Sequence, residues 1–228
     1  MARALSFLDA MNSVEGGWAT FISRVEGVPV TVDKRETLAN LEPFHREVVE
    51  EKGFSWSDLW RAEQVHGEEL AVVPAERTGP SRIVPGADGL LTGAAGVLLG
   101  IYVADCAAVY LVDRATGALG LVHSGKKGTE KNIVGRAVER MAEEFGTRPV
   151  DLEAAISPCI RPPHYELDFA AEIERQLADS GIPRRQVTVS GICTGEEVGR
   201  FYSYRLEKGK TGRMLALLGR KGEGSATS

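Results

Sequence analysis

The stretch "GLVHSGKKGTEKNIV", Gly120 to Val134, ends an apolar run on a histidine and then passes a small-residue loop with two lysines into a helical pattern. His123 closes the run, and Gly125, Lys126, Lys127 and Gly128 follow it. Upstream, "ADCAAVYLVD" places Cys106 at the head of another apolar run, with the turn sequence "DRATG" between the two. If that turn is centred on Ala115, facing residues of the hairpin have numbers summing to about 230. Cys106 then faces Ser124, and Ala107 faces His123. A bulge, or the end of regular pairing near Gly125, would turn Cys106 and His123 to one face. Neighbouring cross-strand Cβ atoms lie about 4.5–5.5 Å apart, close enough for a thiol and an imidazole to share a proton or a metal. The plain alternative is a buried structural cysteine beside a satisfied histidine.

His66, in "EQVHG", is by itself an ordinary strand-end or loop histidine. It gains interest because it would complete a set of two His and one Cys. Zinc accepts that set, and a catalytic zinc keeps its fourth position for water or substrate. Such a metal brings the pKa of a bound water toward ~7. The lysine loop only superficially resembles a phosphate-binding P-loop, because Lys127 stands where Ser or Thr should hold magnesium. A Gly-rich loop entering a helix still presents free N–H groups and the positive end of the helix dipole. Lys126 and Lys127 add charge suited to a phosphate or carboxylate; simple solvation of both is the alternative. Asp88, in "GADGLLT", and Asp105, beside Cys106, suit orienting a histidine or binding a substrate hydroxyl. Asp88 equally suits capping a turn. "SPCIRPPHYEL" puts two prolines between Cys159 and His164, which makes them poor ligand partners and the stretch a shaped loop lining a pocket. In "FYSYR", Tyr202 and Tyr204 alternate as on a strand with one buried aromatic face, followed by Arg205.

The elements that must position these residues follow from periodicity. Leu38, Leu41, Phe44, His45, Val48 and Val49 predict a helix over 35–52. "SWSDLWRAEQVHG" feeds a strand ending near Val73, and "PAERTGPSRIVPGADG" is a long turn-rich connection. "VLLGIYVADCAAVYLVD" is the most strand-like segment, interrupted at Gly100 and Asp105, and "ALGLVH" is its neighbour. "TEKNIVGRAVERMAEEFG" predicts an amphipathic helix with Thr129 as N-cap and Gly146 as C-cap. "VDLEAAISP" and "QVTVSGICT" read as strands, and "DFAAEIERQLADSG" as a helix capped by Asp168. "GRFYSYRLEKGKTGRMLALLG" predicts a hairpin around "EKGKTG". Strand pairs mixed with helices give an α/β (mixed α+β) class.

Composition sets the outer bounds. The chain has 228 residues, 43% hydrophobic and 26% charged, with a formal net charge of −5. That is ample for a hydrophobic core and is not the balance of a nucleic-acid-binding chain. An anion site must therefore be a local exception. No apolar run reaches the roughly 20 residues of a membrane helix, and no signal-peptide core is evident, so a cytoplasmic protein is expected, without nucleic acid or membrane partners. Three cysteines without a CxxC exclude a zinc ribbon and argue against a disulfide framework. One domain over residues 1–220, with a flexible tail over 221–228, accounts for the pattern.

"QVHG", "ADGLLT", "ADCAAVYLVD", "GLVHSGKKGT", "SPCIRPPHYEL", "ICT" and "FYSYRLEKGKTGRM" occur in one order. In that order they resemble the multicopper polyphenol oxidase (laccase domain) family, also called the YfiH-related purine nucleoside phosphorylase family. The resemblance runs from about Gly17 to Gly219. It implies a single domain of β-sheets sandwiched between helices, of a type also seen in bacterial toxin deamidases. It also implies a Zn2+ site at His66, Cys106 and His123, which would be the catalytic residues. The activity implied is phosphorolysis of adenosine, inosine and methylthioadenosine, with adenosine deamination at the purine C6, and the partners are a nucleoside and phosphate. Asp88 or Asp105 would carry the proton of the deamination. The older oxidase label fits less well, because one His₂Cys set is not a multicopper cluster.

The departures fall around the substrate. The family loop reads His-Ala-Gly-Trp-Arg-Gly-Thr; here Ser124, Lys126 and Lys127 replace Ala, Trp and Arg. Lys127 keeps the charge of Arg without its planar fork. Phe21 occupies the usual Arg position near the N-terminus, with Arg24 the nearest stand-in. Arg161 and His164 enter the Pro-rich loop. Lys126, Lys127, Arg161, Asp88 and Arg205 are the expected substrate contacts. Two further readings stand beside the zinc enzyme: a metal-free Cys106–His123 hydrolase or deamidase, and a non-catalytic nucleotide-binding scaffold. A monomer or homodimer is expected.

Overall fold

The computed structural model describes residues 5–14, 16–76 and 82–222. In chain order the elements are α1 (Asp9–Asn12), β1 (Gly17–Ile22), α2 (Lys34–Glu51), β2 (Leu59–Ala62), β3 (Leu70–Val72), β4 (Ile83–Val84), β5 (Gly89–Thr92), β6 (Val97–Val103), β7 (Ala107–Asp113) and β8 (Leu119–Ser124), then α3 (Lys126–Glu130), α4 (Ile133–Phe145), β9 (Leu152–Ile156), α5 (Phe169–Asp179), β10 (Val187–Val189) and β11 (Met214–Arg220). They form two mixed sheets, ordered β1-β11-β6-β2-β4 and β10-β9-β7-β8-β5-β3.

The burial pattern explains the layering. On β6, Val97, Leu99, Ile101 and Val103 face the second sheet, where they meet Ala108, Tyr110 and Val112 of β7 and Leu119 and Leu121 of β8. Leu98 and Tyr102 of β6 point the other way, into a layer with Val49 of α2, Leu59, Leu215 and Leu217. Val109 and Leu111 of β7 face outward too, against Val134, Val138 and Met141 of α4 and Ile173 and Leu177 of α5. Strands covered on both faces read as continuous apolar runs, which is why "VLLGIYV" and "AAVYLVD" lack alternation. The expected sheets between helices are present. Among the described residues no helix is long and apolar enough to cross a membrane.

Several expectations change in detail. The strand-like run from Val97 to Asp113 divides between the sheets: β6 lies in the first and β7 in the second, and Ala104, Asp105 and Cys106 cross between them. Gly100 sits inside β6 and pairs with both neighbouring strands rather than breaking it, and the glycine gives room to β2, since an added Cβ would come within 2.7 Å of Leu59 Cδ1. The β7–β8 register is one residue off the predicted one, with Ala107 opposite Ser124 and Ala108 opposite His123. Cys106 therefore precedes the ladder instead of lying within it. The hairpin expected before β11 is absent. The Glu207 carboxylate accepts from the Ser203 backbone N–H, the Thr211 hydroxyl and the Arg24 guanidinium, folding 203–211 into turns. Such local side-chain bonds compete with a strand ladder. The strand expected from "QVTVSGICT" is regular only over Val187–Val189. The predicted tail lies, from residue 223 onward, outside the described residues, as do residues 77–81 of the turn-rich connection.

The lysine loop also folds differently. Lys126–Glu130 form the separate helix α3, and Thr129 lies within it, its hydroxyl 2.9 Å from that of Ser124. The N-cap of α4 is Asn132, at φ 54° and ψ 46°, whose side chain accepts from the Gly135 N–H. Asn tolerates this left-handed backbone and supplies the capping oxygen together. Asn132→Ala removes the cap and strains the backbone, so an unfolding free energy lower by about 2 kcal/mol is expected. A lower urea midpoint at unchanged slope checks it.

Candidate metal centre

The crossing peptide delivers Cys106. Asp105 adopts φ 81°, a conformation that non-glycine residues avoid unless their surroundings impose it. Its carboxylate accepts from the Thr194 hydroxyl and the Arg205 backbone N–H, both at 2.8 Å, and its carbonyl accepts from Ile160 N–H at 2.8 Å. Asp105 is thus a brace between the sheet crossing and two loops.

His123 comes from the end of β8, and His66 from the turn after β2, at φ 60°. The donor atoms of His66, Cys106 and His123 lie within 4.8 Å of one another. The two imidazoles meet edge to face, ring centres 4.9 Å apart. Gly125 makes the cluster sterically feasible, since a Cβ there would fall 2.7 Å from Cys106 Sγ.

Asp88 stands behind the cluster, fully buried. One carboxylate oxygen accepts from His66 N–H at 2.9 Å and lies 2.8 Å from His123 Nδ1. The other accepts from Gly67 N–H at 2.7 Å and Val65 N–H at 3.2 Å. With Nδ1 so engaged, His123 keeps Nε2 for a ligand role. Burial pushes the Asp88 carboxyl up, but His123 and the Gly67 and His66 N–H groups outweigh it and hold it below the ordinary carboxylate value. Burial likewise raises the Cys106 thiol, yet the charge of His123 and hydrogen bonds from both histidines draw it down to about 6. Burial lowers His123, and the Cys106 thiolate and Asp88 more than reverse this, to about 9. Two imidazoles and an easily formed thiolate, converging from three segments with an orienting carboxylate behind, form a donor set that fits a divalent metal ion such as zinc.

The cluster opens into a cavity of about 730 Å³ whose wall includes Lys126 and Arg205. Asp88, Lys127 and Arg161, three of the expected substrate contacts, are not on that wall. Asp88 is buried with both oxygens engaged. Lys127 is exposed on α3. Arg161 is bonded to Asp168 at 2.8 Å. Arg24 does not stand in for an arginine on the wall either: it pairs with Glu207 at 2.7 Å and stacks on Tyr202. The wall instead holds Lys34, Lys208 and Arg213, with Tyr102, Tyr165, Phe169 and Tyr204. Arg213 and Tyr204 lie in the "FYSYRLEKGKTGRM" motif, whose order was the only sequence signal for them. Lys34 had none.

A sequence model of the family described as multi-copper polyphenol oxidoreductase laccase matches residues 25–172 and 162–221. The chain belongs to that family. Purine nucleoside phosphorylase YlmD of Geobacillus stearothermophilus is 32% identical, aligned over 89% of this chain and 85% of its own length. A purine nucleoside phosphorylase of Deinococcus radiodurans is 36% identical over 73% of this chain and 72% of the relative. The crystal structure of the Geobacillus YlmD superimposes with a TM-score of 0.78 at 28% identity, covering 92% of this chain and 93% of that one. The Bacillus licheniformis protein YfiH shares the fold at a TM-score of 0.77 and 23% identity, covering 90% and 93%. Among the described residues of this member, one group of three metal-capable side chains comes together.

Two outcomes are expected here. Asp88→Asn sets an amide N–H₂ against backbone N–H groups whichever way it turns, so metal affinity measured by chelator competition falls about tenfold to hundredfold. In chelator-stripped protein, Cys106 is thiolate above its lowered pKa, so its alkylation is half-maximal near pH 6. His123→Ala removes the facing cation and moves that midpoint upward. Cys159, buried and pushed up to about 12, stays unmodified.

Proposed function

We propose that this chain is a zinc-dependent purine nucleoside phosphorylase that also deaminates adenosine. The observation carrying the reading is the cavity, in which a His–Cys–His cluster, cationic side chains and aromatic rings share one wall. The activity for which the two relatives are named supports it. A volume near 730 Å³ falls in the range of small-molecule sites and suits a nucleoside with a phosphate. Tyr165 and Phe169, ring centres 5.0 Å apart, offer a stacking surface for a purine. His66, Cys106 and His123 would hold the zinc, which when bound supplies a Lewis acid and an activated water.

The chain's own residues do the rest. Asp88 holds the His123 ring in one orientation and tautomer. Lys126 and Arg205 draw phosphate to the cavity and hold it. In phosphorolysis a phosphate oxygen bonds to the ribose anomeric carbon, the bond from that carbon to the purine nitrogen breaks, and the base leaves with the electron pair and takes a proton. Cations on the wall stabilise the charge carried by phosphate and leaving base. The three unpaired thiols suit a reducing compartment, the cytoplasm.

One observation favours a second reading. Cys106, His123 and Asp88 line up as nucleophile, base and orienting carboxylate, with the thiol already drawn to about 6. That arrangement alone can support a metal-free Cys–His hydrolase or deamidase. Incubation with adenosine, inosine and methylthioadenosine, with and without phosphate, separates the readings. Free base formed only with phosphate, and inosine formed from adenosine, are the expected results. Zinc at one equivalent in the purified protein, lost from His66→Ala, Cys106→Ala and His123→Ala together with activity, is expected as well. Full activity after chelation would transfer the assignment to the thiol.

A further inference from the structure

Glu166 lies on the loop between β9 and α5, outside the cavity wall, with its carboxylate directed at two of the wall's cations. One oxygen is 3.5 Å from Lys126 Nζ and the other 3.6 Å from an Arg205 guanidinium nitrogen. All three side chains are about half exposed, between 49% and 54%. The two cations are placed by separate means. Lys126 follows Gly125, the residue packed against Cys106 Sγ. Arg205 has its backbone N–H on the Asp105 carboxylate and its guanidinium carbon 4.7 Å from the centre of the Tyr165 ring. Neither placement needs Glu166.

The remaining charge on the wall is one-sided. Lys34, Lys208 and Arg213 line the same cavity, and no ion pair to a carboxylate occupies any of them among the described residues. Among the described residues the wall's one acid, Asp105, is committed to Thr194 and Arg205. Glu166 is thus the carboxylate that reaches across to the cations, and it does so as a phosphate would, with one oxygen to each. Exposed pairs at these separations contribute little to stability and exchange readily with solvent ions.

We propose that Glu166 is a built-in competitor for inorganic phosphate: its carboxylate spans Lys126 and Arg205 until phosphate displaces it, which raises the phosphate concentration the enzyme requires. The assignment rests on reading the cavity as a phosphorylase site. It makes Glu166 a determinant of phosphate affinity that touches neither the metal cluster nor the nucleoside.

The test is Glu166→Gln in the metal-loaded enzyme, with KM for phosphate measured at saturating inosine and KM for inosine at saturating phosphate. Removing one negative charge a few ångströms from the anion lowers the phosphate KM about fivefold to tenfold at low salt. The advantage shrinks below about twofold at ~0.5 M NaCl, where the Debye length is only a few ångströms. The KM for inosine is unchanged. Glu50→Gln, an exposed acid on α2 away from the cavity, makes the same change in net charge and leaves the phosphate KM as it was. Calorimetric titration of inorganic phosphate without nucleoside reads the same displacement independently of turnover: Glu166→Gln binds more tightly than the parent, and Lys126→Ala and Arg205→Ala more weakly.

A phosphate KM in Glu166→Gln that is unchanged or higher, with phosphorolysis intact, overturns the competitor role and leaves the phosphorylase reading standing. A higher inosine KM alone makes Glu166 a nucleoside contact and also overturns it. If no nucleoside is turned over but the variant still binds phosphate more tightly, the competitor role holds and phosphorolysis fails. If neither protein binds phosphate, both fall.

Discussion

Four polar contacts converge on the Asp88 carboxylate, and the site depends on them. Three come from successive backbone N–H groups, Val65, His66 and Gly67, and the fourth is His123 Nδ1. A buried carboxylate is costly unless its oxygens are satisfied and a positive charge is near. Here the partners that satisfy it are the two segments that present the histidines. The same contacts that make the burial tolerable fix where His66 and His123 stand. Backbone reinforces this, since Asp88 N–H donates to Glu69 carbonyl at 2.8 Å and His123 N–H donates to Asp88 carbonyl at 2.7 Å. Glu68, next in the chain, pairs with Lys131 and Arg136, tying the His66 turn to the α3–α4 side.

The second determinant is how the chain passes between its sheets. Cys106 is the last residue of a three-residue crossing, held by a positive-φ Asp105 whose own carboxylate anchors loops at Thr194 and Arg205. Two carboxylates, each spent on structure, therefore bring in the three donors: Asp88 fixes the histidines and Asp105 fixes the cysteine. Neither faces the substrate space as a free negative charge. The cavity wall is consequently cationic in a chain whose formal net charge is −5. Overall charge sets solubility and long-range steering, but at this site the local arrangement reverses its sign.

The layered fold was largely legible from apolar runs, since strands buried on both faces lose their alternation and helices keep theirs. What the pattern could not tell was sheet membership. β6 and β7 are consecutive apolar runs, and nothing in their period separates a hairpin partner from a strand in the opposing sheet. The register of β7 on β8 missed by one residue because the turn holds one residue more than a turn centred on Ala115: Asp113 N–H donates to the Ala118 carbonyl, and the Asp113 carboxylate accepts from the Ala115 and Thr116 N–H groups inside it. Asn132 hid for a related reason. Thr129 is a capping type at the head of the whole helical pattern, and only the left-handed backbone at 132 shows that a new helix begins there. The three donors were legible through motif order. Lys34 was not, because a lysine at a helix start reads as solvated until the fold sets it beside a cavity formed mainly by other segments.

The loop after His123 supplies charge to the cavity, and the rings of the cavity come from other segments. Lys126 offers charge without a ring, but Tyr165, Phe169 and Tyr204 stand on the same cavity from different segments. Arg205 lies over Tyr165 and Arg213 over Tyr204, with guanidinium carbons 4.7 Å and 5.6 Å from the ring centres. Planar stacking and cationic charge are therefore both present, supplied by the Pro-rich segment, α5 and the turns before β11 as well as by the loop after His123. Stacking a base needs a flat face, and holding an anion needs a charge of the right sign. Neither requirement specifies which segment must supply it, provided the shell behind the donors stays fixed, and here that shell is Asp88, Asp105 and a Gly125 that leaves room for the thiol.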